Sequence, residues 1–365
     1  PVSLTAGPSI GKTPTVVSWG KAVSVVFPSN SLSASQVVAI GPPTHAPPIA
    51  SGARILSACT ISLSGAPLQS PAAIALRFDR AALPQDAVPE AIMAIRWDEQ
   101  TKQWETRPTS VDMKQGVAVV TTEQFSLWYL IYIAQMCVVE NTENFRLVYV
   151  RPGWVETAGS TYGQGETFVI QTPSVRFVPG PEAAFMVRQF LERAYAAYQQ
   201  AGLPRLFAAR RTQAEAAAAA VLGLNLRPFT EWVFLNCNPA GFALNRQEGP
   251  AGINRRSGIT GAIILGRDYD DLDDLRSTCA HELFHAIQNE YSNLYTQALH
   301  EWWADATADY AACRIAWNGQ IELDPIAQPI GWLEIPLWET AANHAYYGDH
   351  LVAHILETVP GATFL

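Results

Sequence analysis

The stretch His281-Glu282-Leu283-Phe284-His285-Ala286-Ile287-Gln288 decides how the second half of this chain is read. It places an H-E-x-x-H word inside an otherwise apolar run. In a helix, residues four apart share one face, so His281 and His285 can offer two imidazoles to a single ion. Neutral histidine nitrogen suits Zn²⁺, and a catalytic site takes three protein ligands and leaves the fourth position to water. Glu282 projects beside the first histidine, where it can take the proton of that water. Histidine is scarce, seven in 365 residues, so the word is not a by-product of composition. The bland alternative is a helix whose histidines cap or fill a cleft; the residues downstream weigh against it.

Those downstream residues hold three competing acids, Glu301, Asp305 and Asp309, on a helix expected over about 299–316. Their spacing puts them on one face. Trp302, Trp303, Ala304, Ala306, Ala308, Tyr310, Ala311 and Ala312 surround them, so burial is expected, and a buried carboxylate needs a partner or a metal. His300 points elsewhere on that helix and is left out of the ligand set. Upstream of the word, Asp270-Asp271-Leu272-Asp273-Asp274 opens the first helix with carboxylates at its positive end. Cys279 stands two residues before His281, which turns it off the ligand face and into packing.

Further upstream the periodicity changes. Residues 1 to about 134 read as strands divided by Pro/Gly/Ser-rich links: Thr15–Trp19, Ala22–Phe27, Ala73–Phe78, Ala91–Trp97, Val117–Thr121 and Leu127–Ile133. Short strands without a good helix between them predict a β-sandwich. Gly11-Lys12-Thr13 looks like the tail of a phosphate loop, but the glycine pattern before it is incomplete and no strong helix follows. A second unit starts near 138. Phe145–Val150 alternates as a strand, and Ser174–Val178 is a further candidate. From Pro181 to Gly202 a helix is expected, with Phe185, Val187, Phe190, Leu191, Ala194 and Tyr195 as its apolar stripe and Gly202 as its stop. The alanine-rich Arg210–Ala220 reads as another helix. Trp232–Leu235 and Gly261–Gly266 read as strands, the latter as a sheet edge along which an extended substrate could lie.

The chain is thus expected to be multidomain: an all-β sandwich over 1–137, then an α+β unit over 138–365. A charge of −9 without a basic block argues against nucleic acid or an anionic membrane as partner. No apolar run is long enough for a transmembrane helix. Five cysteines without a C-x-x-C pair cannot form a local thiolate metal site, and the odd number leaves at least one unpaired in a monomer, the expected state. Only 16% of residues are charged, and 25 prolines and 24 glycines make the chain loop-rich, which favours a secreted, cell-surface or periplasmic protein although no signal peptide is visible.

Two resemblances add to this reading. Over roughly residues 10–133 the chain resembles the ZU5-like β-sandwich domains, in Ala72–Arg77 with Phe78-Asp79, Arg96-Trp97-Asp98-Glu99, Trp104-Glu105, Val111-Asp112 and Glu123–Tyr129. That resemblance implies an adaptor that packs on neighbours and no catalytic group. Over about residues 141–355 it resembles the gluzincin zinc peptidases of peptidase-MA-like organisation, whose second helix carries W-x-x-E-G/A-x-A-E/D-Y. Here Trp302-Trp303-Ala304-Asp305-Ala306-Thr307-Ala308-Asp309-Tyr310 matches it. The resemblance implies a zincin-like fold, Asp305 as third metal ligand beside His281 and His285, and Asp309 as the carboxylate that orients a histidine. Asp305 is one methylene shorter than the family's glutamate, so Glu301 stays open as the alternate ligand.

The reaction expected is zinc-dependent hydrolysis of a peptide or protein substrate, by an endopeptidase in preference to an exopeptidase. Glu282 serves as general base and then general acid. An oxyanion donor is also needed, and Tyr346 is favoured over Tyr347 and His344 in the late segment Ala341–His350. The alternative is a non-catalytic protein, either a binding module stabilised by zinc or a surface-attachment protein. Glu282 speaks against it, because a structural zinc site spends its fourth position on a protein ligand.

Overall fold

The computed structural model describes residues 2–151, apart from 7–13, 33–35, 46, 48, 50, 51, 66, 67, 100, 101, 108 and 136, together with 169–170, 175–176, 181–203, 209–226, 231–235, 263–265, 268–269, 272–291 and 307–317. The expectations placed on Gly11-Lys12-Thr13, Glu301, Asp305, His344, Tyr346 and Tyr347 lie outside the described residues.

Eleven strands form two antiparallel sheets in the N-terminal region. They are β1 (Val2–Ala6), β2 (Thr15–Trp19), β3 (Val23–Phe27), β4 (Gln36–Gly41), β5 (Arg54–Ser64), β6 (Ala72–Arg77), β7 (Ile92–Asp98), β8 (Gln103–Arg107), β9 (Thr109–Asp112), β10 (Val117–Thr122) and β11 (Leu127–Tyr132). One sheet runs β1-β4-β5-β11-β7-β8 and the other β2-β3-β6-β10-β9. All six strands expected from the sequence are present. The missed ones include β4, where polar Gln36 is buried and apolar Val37 exposed, and β5, whose burial shows no clean alternation.

Burial on both faces explains why β6 and β10 read as near-continuous apolar runs and why β3 is interrupted only at Ser24. Val23, Val25 and Phe27 of β3, Ala72, Ile74 and Leu76 of β6, and Ala118 and Val120 of β10 face the core between the sheets. Their alternates, Val26, Ala73, Ala75, Val117 and Val119, are buried too, in a separate cluster with Ala214 and Ala218. Those alanines belong to α2 (Ala209–Leu222), which lies over the outer face of the five-stranded sheet. Four residues apart on one face, they bring the helix close to small side chains on β6. Polar links reinforce the contact: Ser110 Oγ donates to Glu215 Oε1 at 3.1 Å, and the Asn225 amide donates to Asp112 Oδ2 at 2.8 Å. The turn into β10 ends at Gly116, whose φ is +64°. A Cβ at this position would stand 2.6 Å from the Phe78 carbonyl oxygen, so the turn has no room for a side chain.

The second region is built on a four-stranded sheet of order β12 (Cys137–Asn141), β13 (Phe145–Val150), β16 (Glu231–Leu235) and β17 (Ile263–Leu265). β12 and β13 pair antiparallel, whereas β13, β16 and β17 pair in parallel. β17 is the edge of this sheet among the described residues, as its sequence predicts. A small sheet joins β14 (Val169–Ile170), β15 (Val175–Arg176) and β18 (Asp268–Tyr269). The cores of the two regions meet across β13: Phe145, Leu147 and Tyr149 enter the second core, while Val148 joins the sandwich core.

Helices α1 (Pro181–Gln200) and α3 (Leu272–Tyr291) pack with the helical segment 307–316 in the second core. Gly202 ends α1 as expected: its φ of +84° lets the Leu203 amide return to the Tyr198 carbonyl at 3.0 Å. The stripe of α1 differs from the expected one. Ala183, Ala184, Val187, Leu191, Ala194 and Tyr198 are buried, whereas Phe185 is 53% exposed and carries the Arg188 guanidinium over its ring. A large side chain one position off the stripe points outward whatever its hydrophobicity. The last helical segment among the described residues is α-helical over 307–310 and widens to a π-helix over Ala311–Ala316, followed by buried Trp317. No helix among the described residues is long and apolar enough to cross a membrane.

Candidate functional site

The H-E-x-x-H word lies in the middle of α3, where the sequence places it. Asp273 and Asp274 occupy the first turn. Leu275, Cys279, Leu283, Ala286 and Ile287 seat the helix in the second core. Their three-to-four spacing leaves His281, His285 and Gln288 together on an adjoining face. Cys279 is fully buried, and that burial pushes its thiol well above the ordinary range, with Glu282 adding to the rise. Its place in the second core makes it a packing group, as the helix geometry predicts.

Ligand-type atoms of His281, Glu282 and His285 lie within 4.8 Å of one another. The two imidazole Nε2 atoms face each other at 2.8 Å, with the rings near perpendicular and their centroids 4.4 Å apart. Glu282 and His285 are each 6% exposed, so the carboxyl and one imidazole are largely out of water. On its outer side His281 Nδ1 meets Asp309 Oδ1 at 2.5 Å. A carboxylate there accepts the Nδ1 proton, which leaves the Nε2 lone pair directed inward and strengthens it as a ligand. On its outer side His285 Nδ1 meets Gln288 Oε1 at 2.8 Å, and Gln288 Nε2 donates to Thr307 Oγ1 at 2.7 Å.

Neighbouring elements fix this arrangement. Tyr198 of α1 donates its hydroxyl to the Ala280 carbonyl at 2.9 Å and sets its ring against Phe284, centroid to centroid 5.6 Å. Burial raises the Tyr198 phenol well above its usual value, with Cys313 and Asp309 contributing, so it remains a neutral donor. Trp317 donates Nε1–H to the Arg276 carbonyl at 3.2 Å and holds the far end of the 307–316 segment against α3.

The structure thus brings together His281, Glu282, His285 and Asp309. Gln288 and Thr307 were missed as site residues. A usable signal existed for Gln288, which lies three residues after His285 and so shares its face. None existed for Thr307, whose approach depends on how two helices pack.

Donor chemistry accords with a divalent cation bound by nitrogen and oxygen. Two imidazoles and a buried carboxylate form the kind of mixed set that zinc accepts. Ligand nitrogens about 2.0–2.1 Å from a tetrahedral zinc stand roughly 3.3 Å apart. The observed 2.8 Å is tighter by about 0.5 Å. Comparison with known protein families and with curated proteins finds no match for this chain.

Proposed function

We propose that this protein is a zinc-dependent peptide hydrolase with a zincin-like second domain, secreted or at a cell-surface or periplasmic location. The observation that carries the reading is the convergence of the His281 and His285 Nε2 atoms at 2.8 Å beside buried Glu282. A structural site has no use for a buried carboxylate next to its ligands, whereas a hydrolase needs one as a base.

In this reading His281 and His285 hold the ion with a third ligand from the acidic helix, Asp305 by family resemblance or else Glu301. Zinc supplies a Lewis acid that lowers the pKa of water and polarises a carbonyl. Glu282 accepts a proton from the attacking water and delivers it to the leaving amine. Burial keeps bulk water from competing for that proton. Asp309 holds His281 in the tautomer that presents Nε2. Tyr346 serves as oxyanion donor. The edge of β17 offers main-chain hydrogen-bonding groups to an extended peptide.

The test pairs metal content with turnover on a mixed peptide library. Glu282→Gln is expected to keep stoichiometric zinc and to lose at least about a hundredfold in hydrolysis, since positioned proton transfer is worth on the order of 10² to 10⁴. Full turnover by this variant would remove Glu282 from the mechanism. Stoichiometric zinc with no cleavage by the wild-type protein would favour the non-catalytic alternative.

A further inference from the structure

Both histidines are tied on their outer sides to the same helical segment, and by different chemistry. His281 reaches Asp309 directly, whereas His285 reaches Thr307 only through the amide of Gln288. We infer that Gln288 and Thr307 form a positioning relay that sets the tautomer of His285 and thereby its affinity for the metal. This inference rests on the zinc-site reading above and adds residues that neither the H-E-x-x-H word nor the acidic helix identifies.

A neutral imidazole carries one N–H and one lone pair, and the group facing each nitrogen decides which is where. Gln288 Oε1 can only accept, so at 2.8 Å it requires the proton on His285 Nδ1. The Nε2 lone pair then faces His281 and any ion between the rings. An amide can also present the opposite end. Were Gln288 turned over, its NH₂ group would face Nδ1, the proton would move to Nε2, and His285 could no longer ligate through that atom. Thr307 Oγ1 accepts from Gln288 Nε2 at 2.7 Å, which holds the amide in place between His285 and the 307–316 segment. Thr307 is 8% exposed and lies on the segment that Trp317 anchors against α3.

The two arms also differ in strength. Asp309 brings a full negative charge to His281, while Gln288 brings only a dipole to His285. Neither Gln288 nor Thr307 touches reacting atoms; both act through His285.

The decisive measurement is zinc affinity of the full-length protein by chelator competition, with thermal melting of the metal-free form as a control for folding. Gln288→Leu, which keeps bulk and loses the acceptor, is expected to weaken zinc binding by about 10- to 100-fold, the usual consequence of removing an outer hydrogen-bond partner. Gln288→Glu restores an acceptor and is expected to recover affinity. Thr307→Val, nearly isosteric, is expected to weaken binding several-fold, and Thr307→Ser to leave it unchanged. Wild-type affinity in both Gln288→Leu and Thr307→Val overturns the relay while leaving the zinc site intact. So does a loss in Gln288→Leu that Gln288→Glu fails to recover in folded protein. Failure of the wild-type protein to bind zinc would overturn the zinc-site reading itself, and the relay with it.

Discussion

In the sandwich, Arg96 and Arg107 bring guanidinium groups to one oxygen of Glu105, each at 2.6 Å; in the helical region, His281 and His285 turn nitrogen toward nitrogen at 2.8 Å. Both clusters are largely buried. The first closes on itself: opposite charges meet, Gln124 accepts from Arg96, and Asp98 stands 3.9 Å away. Burial lowers the Arg107 guanidinium to about 10, opposed by Glu105, so it stays charged at neutral pH. The second cluster brings two imidazole nitrogens together beside a buried carboxyl, with Asp309 and Gln288 on their outer nitrogens. Pairing of the first kind satisfies its own charges, whereas convergence of the second kind gathers groups that could hold a metal ion.

The contrast is broken most severely by removing a ligand. His281→Ala and His285→Ala are each expected to lose more zinc affinity than the roughly hundredfold that an outer partner accounts for. Asp305→Ala should resemble them more closely than Glu301→Ala does. The melting of the sandwich should stay unchanged in all of these, which differential calorimetry with and without zinc would reveal. If the sandwich transition moved with zinc, the two regions could not be treated separately.

Glu105→Ala is the converse experiment. It leaves two buried guanidinium groups facing each other, and a loss of about 3–5 kcal/mol in unfolding free energy is expected. Zinc affinity should not change, as equilibrium denaturation and chelator titration together would establish. A wild-type midpoint would mean that water reaches the arginines and the cluster contributes little.

The boundary between the regions is sharpened by a smaller change. Ala218→Leu adds bulk where α2 meets Val26, Ala73, Ala75, Val117 and Val119, and is expected to cost about 1–3 kcal/mol. A fragment of residues 1–134 is expected to melt cooperatively without metal, but with a sheet face uncovered. Comparing its midpoint with that of the full chain measures what α2 contributes to the sandwich. An insoluble or molten fragment would show that the sandwich needs its helix.

The smallest effect is one of pH. Burial works to raise the Asp112 carboxyl, but backbone N–H groups of Asn225, Gln115 and Lys114 outweigh it and hold the value below the usual one. A depressed folded value means the contribution is complete above the unfolded pKa, near 4, and is lost as pH falls through the lowered folded value. Protection of the Asn225 amide in hydrogen exchange should therefore weaken only below about pH 4. Asp112→Asn should flatten that dependence; an unchanged acid response would assign it to another carboxylate.

What was legible from sequence was what local periodicity controls. Four-residue spacing on α3 put His281 and His285 on one face, β-favouring runs between turn-rich links located β3, β6 and β10, and Gly202 marked a helix end because only a residue tolerant of positive φ turns there. These features depend on backbone geometry over a few residues, which no distant contact needs to supply. The tertiary structure alone decided which surfaces and side chains meet. Alanine-rich α2 could have packed in its own region, yet it covers the sandwich sheet, because Ala73 and Ala75 leave a shallow surface that Ala214 and Ala218 can approach. Gln288 reads as an ordinary polar helix residue until the 307–316 segment brings Thr307 to within 2.7 Å of its amide. Arg96 likewise finds Glu105 only through the pairing of β7 with β8, which sets the two opposite each other, whereas Arg107 meets the same carboxylate from two residues along β8. Spacing along a chain encodes which face a residue occupies; the identity of the group across from it depends on the path of the backbone between them.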